Sequence, residues 1–163
     1  MKVIVFDNDS LQVSQFEKLL YGILGDSMQL YKNPSLGWIV GCYDEYENAL
    51  FFIDTRYKVS GGNFLTLARR IRENSEKCHI CFLAPSTADM AFCYKKLVRP
   101  SGFLLKPVDE TELRLLISDI LRFENARRSL PDDPQILLKT RGTRCMVRAS
   151  NVLYFTAMEK KVV

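Results

Sequence analysis

Short apolar runs alternate with stretches of helical apolar spacing through most of the chain. Residues 2–6, KVIVF, form a β-branched run closed by acids, the pattern of a buried parallel strand whose C-terminal end opens on a polar site. Asp9 or Ser10 can cap a helix, Leu11, Phe16, Leu19, Leu20 and Ile23 give that helix its stripe, and Gly25 can stop it. Residues 28–32 predict a second strand. Asn33-Pro34 then reads as an N-cap and first helical position, followed by a short stripe of Leu36, Ile39, Val40 and Tyr43 that Gly37 and Gly41 weaken. Residues 49–53 predict a third strand, again closed by an acid, Asp54. After a loop at Gly61-Gly62, Phe64, Leu67, Ala68 and Ile71 mark a third helix with Arg69, Arg70 and Arg72 on its outside. Residues 78–83 give a fourth strand and residues 86–97 a fourth helix. Gly102–Leu105 gives a fifth strand, followed by Lys106-Pro107. Asp109 caps a fifth helix striped by Leu113, Leu116, Ile117, Ile120 and Leu121.

Strands alternating with helices in this way predict an α/β fold, a five-stranded parallel doubly wound sheet with helices on both faces. Ligand sites in such sheets lie outside the carboxyl ends of the strands. The ends of the first, third and fifth strands carry Asp7, Asp54 and Lys106, so three charged groups converge on one edge. The texture then changes. Residues 125–135, NARRSLPDDPQ, are polar with two prolines and read as a linker. Residues 136–139, 145–148 and 152–155 read as short strands, with Gly142 and Ser150-Asn151 at the turns. This all-β segment is too short to close a core of its own.

Composition narrows the class. The chain has 163 residues, 47% of them hydrophobic, which is ordinary for a packed globular protein. No apolar run approaches the roughly 20 residues of a membrane span, and acids interrupt the N-terminus too early for a secretory signal. A cytoplasmic protein with no membrane partner is expected. Of five cysteines, Cys78 and Cys81 form a CxxC around His79. In a strand, residues three apart lie about 10 Å apart, too far for a disulfide, so they are expected to be core cysteines. The net charge of +4 divides into +1 over residues 1–128 and +3 over residues 129–163, which places the basic excess in the tail.

A carboxylate can accept a phosphoryl group where a divalent cation neutralises acceptor and phosphate and a fixed cation holds the remaining oxygens. Mg²⁺ asks for oxygen ligands and keeps several waters. Asp7 and Asp54 can supply carboxylates, and Lys106 can pair first with Asp54 and then with its phosphate. Any one of the three alone is more simply a loop acid or a surface lysine. Their common position at strand ends reverses that balance.

Three segments, VIVFDND at 3–9, ALFFID at 49–54 and GFLLKP at 102–107, resemble the receiver domain of two-component response regulators, over about residues 2–124. The resemblance implies a flavodoxin-like receiver fold with Asp54 as the phosphoacceptor. It places Asp7 in an acidic Mg²⁺ pocket, with the backbone carbonyl of Arg56 as a further ligand. Lys106 becomes the phosphate-binding lysine, Pro107 follows a cis peptide, and Phe103 takes the aromatic switch position. The sequence departs from the pattern at two places. Asn8 stands where the family has a second acid, which keeps a carbonyl oxygen but removes a negative charge and weakens the Mg²⁺ site. Asp9 is a possible substitute unless it caps the helix. Ala84, followed by Pro85, stands where the family has the switch Thr or Ser, and Ser86 and Thr87 are the nearest hydroxyls. If Arg56 folds inward it opposes a cation site and, paired with Asp54, mimics the activated charge state.

Residues 136–163, ILLKTRGTRCMVRASNVLYFTAMEKKVV, resemble the opening of a LytTR-type DNA-binding domain. Lys139, Arg141, Arg144, Lys160 and Lys161 are the candidates for DNA phosphate contacts, although a solvated role is the slightly more natural reading for each because phosphate contacts need a complete surface. The resemblances together imply a response regulator, not an enzyme. A sensor histidine kinase would phosphorylate Asp54, and the signal would pass through a homodimer face to DNA and transcription. The alternative, motivated by Asn8 and Ala84, is a pseudo-receiver acting as a phosphorylation-independent interaction module. A small α/β enzyme is remote, because no Gly-rich phosphate loop is present.

Overall fold

A computed structural model of the chain describes residues 1–35, 37, 48–94, 98–129, 135–140 and 143–148. The chain divides into two compact units, Met1–Glu124 and Asn125–Val163.

In chain order the elements are β1 (Lys2–Phe6), α1 (Ser10–Leu24), β2 (Gln29–Lys32), β3 (Leu50–Asp54), β4 (Lys58–Val59), β5 (Gly62–Asn63), α2 (Phe64–Asn74), β6 (His79–Ala84), α3 (Ala88–Tyr94), β7 (Gly102–Leu105), α4 (Glu110–Ser129), β8 (Gln135–Thr140) and β9 (Thr143–Arg148). The first unit contains a five-stranded sheet in the order β2-β1-β3-β6-β7, every pair of it parallel. This is the doubly wound α/β architecture that the alternation predicts.

The central strands β3 and β6 are buried at every residue, as continuous apolar runs require when helices cover both faces. Alternation then sorts the side chains into two layers. Ile4, Phe6, Phe51, Ile53, Ile80 and Phe82 pack on one face with Phe64, Leu67 and Ile71 of α2. Val3, Val5, Leu50, Phe52 and Leu83 pack on the other with Phe16 and Leu20 of α1 and Leu113 and Ile117 of α4. Edge-to-face pairs lock each layer, Phe64 on Phe82 at 5.5 Å and Phe16 on Phe52 at 4.8 Å between ring centroids. Burying each such ring contributes roughly 1.5–3 kcal/mol.

Helix ends follow local chemistry. Asp9 caps α1, Asp109 caps α4, and Gly25 closes α1 at a φ of 60° that favours glycine. Two expectations for apolar stripes fail at their margins. Leu11 is 67% and Leu121 39% exposed, because each lies at the edge of a stripe narrower than helical spacing alone suggests. Arg72, expected outside α2, is buried and donates to five backbone carbonyls. The expected loop at Gly61-Gly62 carries a small antiparallel pair, β4 with β5. The linker expected over 125–135 is shorter at both ends, since α4 runs through Ser129 and β8 begins at Gln135. Ala126 and Arg127 are good helix formers, and the first proline comes only at position 131. The stripe at 36–43, apart from Gly37, and the strand at 152–155 lie outside the described residues.

In the second unit β8 and β9 pair antiparallel from Gln135↔Arg148 to Thr140↔Thr143. No helix among the described residues is long and apolar enough to cross a membrane.

Cys78, Cys81 and Cys93 are free and buried. Burial pushes all three thiols up, Cys93 to about 11. A raised thiol favours the folded state below its ordinary value of 9.0 and loses that contribution as pH climbs towards about 11. Native-state alkylation at pH 8, followed by peptide mass mapping, should therefore leave these three unlabelled until urea unfolds the sheet. Rapid labelling of Cys81 in the native protein would contradict its burial.

Candidate functional site

Parallel register brings the predicted residues together. Asp54 is the last residue of β3 and stands opposite Leu83 of β6. Asp7 follows Phe6, which stands opposite Ile53. Lys106 follows β7, and its amide donates to the Ala84 carbonyl at 2.8 Å. All three side chains therefore emerge on the carboxyl edge of the sheet.

The Lys106 ammonium donates to Oδ2 of Asp7 and to Oδ2 of Asp54. The side chains are 10%, 5% and 2% exposed respectively, so the contact is nearly dry. Two carboxylates held this close repel strongly at low local dielectric. The shared ammonium is what allows both to be buried.

The remaining oxygens are also engaged. Asp7 Oδ1 accepts from the Asp9 amide at 2.9 Å. Asp54 Oδ1 accepts from the Arg56 amide at 2.5 Å and lies 3.5 Å from the Arg56 Nε. Arg56 thus folds over Asp54, as the sequence left open. Asp9 is a cap and does not replace the missing acid. Its Oδ1 accepts from the Leu11 and Gln12 amides at 3.0 and 3.1 Å, and its Oδ2 from the Gln12 side chain at 3.0 Å. The Gln12 amide is the main reason its carboxyl titrates below the ordinary value. Asn8 is exposed.

Asn33 is a site residue that the sequence reading missed. Expected as a helix cap, it instead clamps the Asp7 backbone from both sides, accepting from the Asp7 amide at 2.9 Å and donating to the Asp7 carbonyl at 2.8 Å. Its φ of 44° is a conformation asparagine tolerates better than most residues.

Of the residues that the resemblance implies for switching, Ala84 ends β6 fully buried and Phe103 packs half-buried on the core, while the nearby Ser86 and Thr87 are exposed. The Lys106-Pro107 peptide is cis, as expected. Thr55, directly after Asp54, donates its hydroxyl to Asp89 in the first turn of α3 at 3.1 Å. This link between β3 and α3 was not read from the sequence.

Asp7, Asn8, Asp9, Asp54 and Arg56 line an open cleft of about 440 Å³. The two converging carboxylates are hard oxygen donors, and the open cleft leaves room for the waters Mg²⁺ retains, so the donor set fits that ion. Among the described residues no three carboxylate, imidazole or thiol groups converge to hold a metal. In the second unit Lys139 and Arg144 are register partners, while Arg141, Lys160 and Lys161 lie outside the described residues.

No family model matches the sequence, and no curated protein is significantly similar to it. Solved structures do share its fold. The signal receiver domain of an HD domain-containing protein from Pseudomonas fluorescens Pf-5 is 15% identical, with 80% of this chain covering 93% of that one at a TM-score of 0.63. The REC domain of AraT, a response regulator from Geobacillus stearothermophilus, is 15% identical, with 78% covering 98% at 0.63. RcsB from Salmonella enterica serovar Typhimurium, bound to promoter rprA with phosphomimetic BeF3-, is 17% identical, with 73% covering 67% at 0.58. The chain therefore has the flavodoxin-like receiver fold.

Proposed function

We propose that the chain is a response-regulator receiver that accepts a phosphoryl group on Asp54 from a sensor histidine kinase. The observation that carries this reading is the Lys106 ammonium shared by the buried carboxylates of Asp7 and Asp54 at the carboxyl edge of the sheet. An Asp54 carboxylate oxygen would attack phosphorus, and the bond from phosphorus to the donor's leaving atom would break. Lys106 would then pair with the phosphoryl oxygens, while Asp7 stays to balance it. Mg²⁺, held by Asp7 and Asp54 with help from Asn8 and the Arg56 carbonyl, would supply the charge neutralisation.

Incubation with Mg²⁺ and acetyl phosphate should add the mass of one phosphoryl group to the intact chain, and Asp54→Asn should abolish the adduct. Absence of any adduct on the wild type, under conditions that label a known receiver, would overturn the reading. A second reading, a phosphorylation-independent interaction module, is favoured by Ala84 at the switch position and by Arg56 over the acceptor. It predicts that Asp54→Asn leaves partner binding unchanged.

For the second unit we propose contact with DNA. The net charge of +3 over residues 129–163 supports an anionic partner for this segment. The RcsB complex shows promoter binding for that protein.

A further inference from the structure

Arg56 is the residue at this site whose role the proposed function does not explain. It stands two places beyond the acceptor, and both its amide and its guanidinium approach the same oxygen, Asp54 Oδ1, at 2.5 and 3.5 Å. The other oxygen of Asp54 is taken by Lys106, which also serves Asp7. Two buried carboxylates are thus matched by two side-chain cations. Asn8 adds no charge, and the Asp9 carboxylate is occupied by the start of α1.

A divalent cation that binds Asp54 must compete with one of these two positive groups. Lys106 is poorly placed to leave, being 10% exposed and bonded to both acids. The Arg56 side chain is 58% exposed, whereas the carboxylate it faces is 2% exposed. Arg56 also lines the same open cleft as Asp7, Asn8 and Asp54. It can therefore swing into solvent and leave its amide on Asp54 Oδ1.

We propose that Arg56 is a tethered counter-cation that competes with the divalent ion for Asp54 and sets the metal concentration at which the site becomes competent. The inference deepens the phosphoacceptor reading and rests on it for its biological meaning. It also couples Arg56 to Asn8. With an acid at position 8 the cleft would hold one further carboxylate that no side-chain cation balances, and metal would be drawn in despite Arg56. With Asn8 the two side-chain cations match the two buried carboxylates, and the metal threshold rises.

The test is Mg²⁺ binding to the full chain by calorimetry, for the wild type, Arg56→Met, Arg56→Lys, Asn8→Asp and Asn8→Asp with Arg56→Met. Arg56→Met should tighten the Mg²⁺ Kd by about three- to fivefold, the range of a partly exposed ion pair. Arg56→Lys, which keeps the charge, should stay near the wild type. Asn8→Asp should tighten binding with Arg56 present, and the double variant should bind tightest. An unchanged or weaker Kd in Arg56→Met, with the fold verified by its melting curve, overturns the inference. Acetyl phosphate labelling at saturating Mg²⁺ separates the two claims. Tighter Mg²⁺ binding without an adduct on either protein would sink the phosphoacceptor reading and leave the Arg56 competition standing. A wild-type adduct with an unmoved Kd would do the reverse.

Discussion

Replacing Lys106 with Met should cost the folded protein about 3–5 kcal/mol, the usual penalty for stranding a buried charge by removing its partner. Here the penalty is concentrated, because one ammonium serves two carboxylates that are 5% and 2% exposed. Methionine fills much the same volume but offers no donor. Asp7 and Asp54 would then face each other across a site with little water to screen them. For a unit of this size the melting temperature should fall by roughly 10–20 °C, followed by circular dichroism. A second substitution identifies the cause. Asp7→Asn in the Lys106→Met background removes the repulsion and should recover most of the loss, while Asp7→Asn alone should cost less than Lys106→Met. A Lys106→Met protein that melts within a few degrees of the wild type would show that the ammonium does not hold the two acids together. The same variant should also lose acetyl phosphate labelling, since nothing would remain to pair with the transferred oxygens.

The ends of the strands were legible because topology does the work. Once Lys2–Phe6, residues 49–53 and Gly102–Leu105 read as parallel strands, their carboxyl ends must share an edge. Asp7, Asp54 and Lys106 then meet without any knowledge of side-chain contacts. What was not legible depends on long-range pairing. Asn33 bonds Asp7 from 26 residues away, and a local reading as helix cap suits the same residue type. His79 was read as a strand residue without chemistry, yet it lies within hydrogen-bond distance of Glu124 at 2.9 Å and of Ser101 at 3.1 Å. No spacing rule joins positions 79, 101 and 124. The Thr55 bond to Asp89 is of the same kind. The competition at Asp9 was decided by geometry. Both its oxygens reach α1 donors, so the cap uses the whole carboxylate.

Arg72 differs, because the pattern contained its answer. Phe64, Ala68 and Arg72 recur every four residues on α2, so helical spacing itself puts position 72 on the buried stripe. Its charge was allowed to outvote its position. The structure shows why a guanidinium is accepted there. Nε donates to the Val98 carbonyl at 2.9 Å, and the two terminal nitrogens reach the carbonyls of Ser75, Glu76, Cys78 and Arg99 at 2.8–3.3 Å. These carbonyls belong to the segments that enter β6 and β7, so one planar fork fastens the helix end to two strand starts. Arg72→Met should leave several of them without a donor. At about 1 kcal/mol or more for each lost charge-assisted bond that water cannot replace, the expected cost is about 3–4 kcal/mol in urea unfolding. Arg72→Lys should recover only part of it, since an ammonium has three donors on one atom and cannot span the same carbonyls. Asp54 labelling in the cold, if the proposed function holds, should survive in both variants, because Arg72 acts at the amino edge of the sheet and Asp54 stands at the carboxyl edge. An Arg72→Met protein within 1 kcal/mol of the wild type would mean that solvent or the loops themselves satisfy these carbonyls. A labelling defect under conditions where the variant remains folded would mean that the two edges are coupled through β6 and β7.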